Sequence, residues 1–92
     1  MTVYVDPPHW TKHGRRWSHL VADSLEELHA FAADQGLPRR AFHGDHYDVP
    51  EEYLDELLAA GAVAVTSREL LAVLRRSGTR LSPAERRRRA GS

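Results

Sequence analysis

A chain of 92 residues, 41% apolar and 28% charged, is enough for one globular domain and is not the composition of a disordered segment. The absence of cysteine excludes disulfides, thiolate catalysis and sulfur-ligated metal. Zero net charge divides unevenly: residues 1–74 carry 6 basic and 12 acidic groups, net −6, whereas 75–92 carry 7 basic and 1 acidic, net +6.

Thr2 to Val5 is predicted as a strand by its β-branched and aromatic residues, and Pro7-Pro8 ends it because neither can donate to a ladder. A polar loop follows to Trp17, then a short apolar strand from His19 to Ala22. Ser24-Leu25-Glu26-Glu27 has the form of a capping box, opening a helix that runs to Gln35 and stops at Gly36. Arg39 to His43 is a weakly signalled third strand. Pro50 suits the first turn of a helix containing Tyr53, Leu54, Leu57 and Leu58. Ala62 to Val65 is another apolar strand, and Thr66-Ser67-Arg68-Glu69 caps a helix through Arg76. Alternating strands and helices predict a small α/β domain in two or three layers, with a short, mainly parallel sheet and about three helices. The domain is expected over residues 1–76, with a basic, partly helical tail over 77–92. A core this small leaves room for a homodimer.

Chemistry-bearing groups gather in two places. Residues 6–19 hold Asp6, His9, His13, His19, Lys12, Arg15, Arg16, Trp10 and Trp17, and His43-Gly44-Asp45-His46-Tyr47-Asp48 forms a second knot. Asp6 follows a strand, where open α/β sheets commonly meet ligands. It is expected at the same sheet edge as His19, so Asp6, His19 and His46 are the candidate catalytic or metal-orienting groups. Arg15 and Arg16 are candidate phosphate anchors, with Trp10 and Trp17 to stack a base. A solvated loop with Trp17 in the core would explain the same residues without a ligand. His29 borders a buried stripe, which fits an interface histidine as well as a ligand. The histidine intervals match no zinc or calcium spacing, so no residue is assigned to a metal and no cofactor is named. Glycine-rich phosphate loops and the Gly-x-Ser-x-Gly elbow are absent, which removes those routes to nucleotide binding and serine catalysis.

Tyr4-Val5-Asp6, Gly14 to Leu20, Ala22-Asp23, Glu27 to Ala32, His46-Tyr47-Asp48, Gly61 to Val65 and Arg68-Glu69 together resemble the domain of unknown function 4031 family, over about residues 2–75. That family often begins Asp-Asp, so Pro7 is a departure that weakens a paired-carboxylate reading. The resemblance implies no activity. It implies that Asp6, His19, His29, His46 and Asp48 belong to one recurring set.

The resulting expectation is a domain that binds a phosphate-bearing ligand, a nucleotide or nucleic acid, and that acts as a hydrolase through Asp and His. Ligand contacts are expected from His9, Trp10, Arg15, Arg16, Trp17, His29, Asp48 and Arg68. The alternative is a non-catalytic module that uses the same surface against protein or nucleic acid, and composition does not decide whether the chain is an enzyme. The arginine tail should attract nucleic acid weakly and without sequence preference. No signal peptide or membrane-length apolar run is present, so a cytoplasmic location without a membrane partner is expected.

Overall fold

The computed structural model describes residues 2–77. Strand β1 (Val3–Val5) is followed by β2 (Trp10–Lys12) and the long β3 (Arg15–Ala22). The polar stretch expected as a loop is therefore a hairpin. His13 and Gly14 form its two-residue turn at φ 54° and 73°. Positive φ at both central positions matches the twist of the flanking strands. Lys12 pairs with Arg15 and Trp10 with Trp17, while further along β3 Val5 pairs with Leu20 and Val3 with Ala22. On the opposite edge of β3 runs β4 (Tyr47–Pro50), from Leu20↔Tyr47 to Trp17↔Pro50. Since β4 faces both β1 and β2 across β3, those two lie on one edge as a single interrupted strand. The interruption is Pro7-Pro8. The Asp6 amide still donates to the His19 carbonyl and the His9 amide to that of Trp17, both at 3.2 Å. Between them no N–H exists to donate.

Short β5 (Val63–Ala64) pairs with β1 and forms the one parallel ladder among the described residues. The sheet is thus mixed and mostly antiparallel, which corrects the mainly parallel expectation. Its physical reason is the hairpin: a two-residue connection can only join antiparallel strands. The strand expected at Arg39 to His43 is a 3-10 turn at Arg39–Ala41, with Phe42 making an isolated bridge to Tyr47. The strand of that region is β4.

Three helices cover the sheet: α1 (Leu25–Asp34), α2 (Leu54–Ala59, entered through a 3-10 turn at Glu51–Tyr53) and α3 (Ser67–Arg76). Ser24 caps α1 by accepting the Glu27 amide at 3.1 Å, but the return bond is missing and Glu27 Oε1 is buried without a hydrogen bond. At α3 both halves of the box form: Thr66 Oγ1 accepts from the Glu69 amide, and Glu69 Oε1 accepts from that of Thr66. One apolar cluster joins Val3, Val5, Leu20, Ala22, Tyr47 and Val49 to Leu28 and Ala32 of α1 and Leu57 of α2. A smaller one joins Tyr4 and Val21 to Leu70, Val73 and Leu74 of α3. Adjacent strand residues point to opposite faces. The sheet is therefore the middle of three layers, with α3 opposite α1 and α2. None of these helices is long and apolar enough to cross a membrane. The expected tail lies, apart from Ser77, outside the described residues.

Candidate functional site

The face covered by α3 is apolar only at one end. Beyond the start of α3 it carries Asp6, at the end of β1, and His19, mid-β3. The expected proximity of these two residues is a direct contact: Asp6 Oδ1 accepts the His19 amide at 2.6 Å, and Oδ2 accepts His19 Nδ1 at 2.9 Å. Ser67, the first residue of α3, donates its hydroxyl to Asp6 Oδ2 at 3.2 Å. The side chain of Asp6 is 1% exposed, so its charge depends wholly on these partners. Burial alone pushes the carboxyl up. The hydrogen bonds from the His19 side chain and backbone, with the charges of His19 and His9, outweigh that and hold it below its ordinary value. A carboxylate only accepts, so His19 carries a proton on Nδ1 and its Nε2 is the nitrogen left for chemistry. Trp10 fixes the ring by stacking on it, with centroids 4.3 Å apart and an interplanar angle of 24°. His9 lies alongside, its Nδ1 2.7 Å from the Pro7 carbonyl.

The second knot repeats this arrangement. His46 Nδ1 is 2.6 Å from Asp45 Oδ1, again placing a carboxylate behind an imidazole. Cross-strand pairing puts Asp48 opposite His19. The rings of His19 and His46 meet edge to face at 4.9 Å. Asp48 Oδ1 lies 3.2 Å from His46 Nε2, and Oδ2 lies 3.1 Å from His43 Nε2. Both have ion-pair distance without hydrogen-bond alignment, and Oδ1 is shut off from solvent with no hydrogen bond. Donor atoms of His19, His46 and Asp48 lie within 4.8 Å of one another, as do those of Asp6, His9 and His19. These clustered Asp and His groups are capable of holding a metal ion or a polar ligand.

Beside the cluster opens a cavity of about 400 Å³, within the range of small-molecule sites. Lys12, His13, Arg15 and Arg40 supply cations, Trp10, Trp17 and Tyr53 aromatic surface, and Asp48 and His43 connect it to the histidines. Of the residues expected at a site, Asp6, His9, Trp10, His19, His46 and Asp48 come together, and Arg15 and Trp17 line the adjoining cavity. Arg16 does not line it. Alternation turns it from Arg15, and it donates to the Pro8 carbonyl at 2.6 Å. Arg68 is exposed on the first turn of α3 and does not line the cavity either. His29 is on α1, across the sheet, its Nδ1 2.7 Å from the hydroxyl of Tyr47. Burial, aided by the Arg39 guanidinium, lowers the His29 pKa. Sequence reasoning does not single out Arg40, Tyr53 or Ser67. Arg40 arrives through an irregular turn that no periodicity announces, and Ser67 is hidden inside a capping motif that already explains it.

The family model for DUF4031, described as a protein of unknown function, matches residues 3–77. The chain belongs to that family. Among the described residues, the match spans both knots and every strand and helix of this DUF4031 domain. No curated protein and no solved structure matches the chain.

Proposed function

We propose that this domain binds a phosphate-bearing ligand of the nucleotide class in the 400 Å³ cavity and hydrolyses it at the adjoining histidines. The observation that carries the reading is the double role of Asp48, which lines the cavity and also faces His46 and His43. Lys12, Arg15 and Arg40 hold the phosphate, since guanidinium groups bond phosphoryl oxygens bidentately and lysine acts as a point charge. Trp10, Trp17 and Tyr53 offer flat apolar surface to a base, whose stacking contributes about 1–3 kcal/mol. Arg15 is not lost to its neighbour Glu52: that pair is 3.8 Å apart with both side chains more than half exposed, so a phosphate competes for it easily.

Hydrolysis needs water to form a bond to phosphorus, the ester P–O bond to break, and a water proton to reach the departing oxygen. The Nε2 atoms of His19 and His46 stand where that water is activated, each ring steadied by a carboxylate behind it. In the same reading the domain works in the cytoplasm, and the basic residues of the 77–92 tail add a salt-sensitive attraction for polyanions.

Tryptophan fluorescence tests the binding half. A nucleoside phosphate should quench Trp10 and Trp17 at concentrations where the parent nucleoside does not, and Arg15→Ala or Arg40→Ala should each weaken it roughly tenfold or more. Equal affinity for nucleoside and nucleotide would overturn the proposal. Phosphate release that disappears in His19→Ala supports the hydrolytic half; binding without release would leave a non-catalytic module.

A further inference from the structure

We propose that a divalent transition ion of the zinc class binds between Nε2 of His19, Nε2 of His46 and Oδ1 of Asp48. As the cofactor of hydrolysis this rests on the functional reading above, with the ion replacing the two free imidazole nitrogens as the activator of water; as a binding site it stands on geometry of its own. With Asp45 accepting from Nδ1, a neutral His46 presents the lone pair of Nε2 to Asp48 Oδ1, 3.2 Å away. Two acceptors at that distance repel unless a donor or a cation bridges them. A proton on Nε2 would be expected to make a hydrogen bond to Oδ1. That alignment is absent, and Oδ1 is buried with no hydrogen bond. Orphaned oxygens of this kind call for an explanation such as an ion.

The surroundings fit a metal centre in other respects. Asp6 on His19 and Asp45 on His46 are carboxylates set behind imidazoles, the arrangement that orients histidine ligands and raises their basicity. His43 Nε2 lies 3.1 Å from Asp48 Oδ2, at ion-pair distance from the third ligand. One donor atom from each of the three residues lies within 4.8 Å of the other two. A tetrahedral ion with bonds of about 2.0–2.1 Å draws its ligands to roughly 3.3 Å apart, a closure that side-chain rotation can supply. Two imidazoles and one carboxylate favour zinc, cobalt or nickel over magnesium or calcium, which prefer oxygen donors. Three protein ligands leave a fourth position for water. The alternative trio of Asp6, His9 and His19 is already committed. Asp6 accepts three hydrogen bonds, and His9 Nδ1 is held by the Pro7 carbonyl.

The site is not a structural cage, because the apolar clusters on both sides of the sheet are complete without it. Metal-free full-length protein should therefore be folded, and titration calorimetry with Zn²⁺ should show one saturable equivalent while Mg²⁺ shows none. Co²⁺ should give visible bands of four-coordinate intensity and broaden the ring signals of His19 and His46 in wild-type NMR spectra. His19→Gln, His46→Gln and Asp48→Asn should each weaken Zn²⁺ by a hundredfold or more, Asp45→Asn by about ten- to a hundredfold, and His9→Gln by less than about twofold. Absence of saturable Zn²⁺ binding in the wild type would overturn the proposal, whatever the variants do. So would binding lost in His9→Gln but kept in His46→Gln. Phosphate release that persists in chelator would remove the metal and leave the hydrolase reading standing; one equivalent of zinc without nucleotide binding would do the reverse.

Discussion

The two faces of the sheet are built from alternate residues of the same strands and have opposite characters. Toward α1 and α2, Leu20, Ala22, Tyr47 and Val49 are nearly completely buried and belong to one apolar cluster. Toward α3, Val21 is covered by Leu70, Val73 and Leu74, but two positions away His19 meets Asp6, His46 and Asp48 instead. A period of two residues therefore separates stability from chemistry. Substitutions one position apart should act on different properties.

The largest test of that separation is Leu20→Ala. Leu20 is fully buried, and truncating such a leucine costs about 2–5 kcal/mol. Urea melts should show that loss, while any metal or nucleotide affinity of the folded fraction is retained; a small loss would mean that the face is not the core. Next in size is Asp6→Asn, on the other face. It leaves the His19 amide, the His19 ring and Ser67 facing a weaker acceptor, for a loss of about 1–3 kcal/mol at neutral pH. The sign of its pH dependence follows from the lowered pKa. The folded state binds the Asp6 proton less readily than the unfolded chain, whose carboxyl titrates near 3.8. The stabilisation is thus complete well above that value and lost as pH falls through the lower folded value. The difference between wild type and Asp6→Asn should shrink on acidification below 3.8; a constant difference would show that charge is not its source. Smallest is Tyr47→Phe, which removes the hydroxyl partner of His29 for about 0.5–1.5 kcal/mol. Because that bond lies across the sheet, ligand and metal titrations should not change, and a changed affinity would couple the faces.

Helices α1 and α3 and their ends are readable because their signals are local, whereas Pro50, expected in the first turn of α2, closes β4 and α2 begins only at Leu54. Thr66 forms its whole box as expected and Ser24 the half that accepts the Glu27 amide, and Leu70, Val73 and Leu74 repeat with helical spacing. Asp6 and His19 were readable as a pair because each flanks an apolar strand. What escaped was strand pairing. Arg15-Arg16-Trp17 has no apolar alternation, since its outer half faces the cavity and solvent rather than a helix, so half of β3 resembled a loop. Tyr47-Asp48-Val49-Pro50 does alternate, but over four residues that end in proline. Once both were missed, the remaining apolar strands with helices between them looked like a parallel sheet. The place of Asp48 opposite His19 depends on that lost register, and so does the distinction between Arg15 and Arg16.

The Pro7-Pro8 interruption has a consequence for how such a domain can change. On one side of it, Asp6 and His19 are tied to the core through β1, β5 and the first residue of α3. On the other, the hairpin of Trp10 to Trp17 provides a wall of the cavity, held at its base by β4 and by Arg16 on the Pro8 carbonyl. The prolines are a seam between a conservative part and an interchangeable one. Insertions or exchanges at the His13-Gly14 tip would reshape what the cavity admits while leaving the reactive groups, and the apolar clusters that position them, where they are.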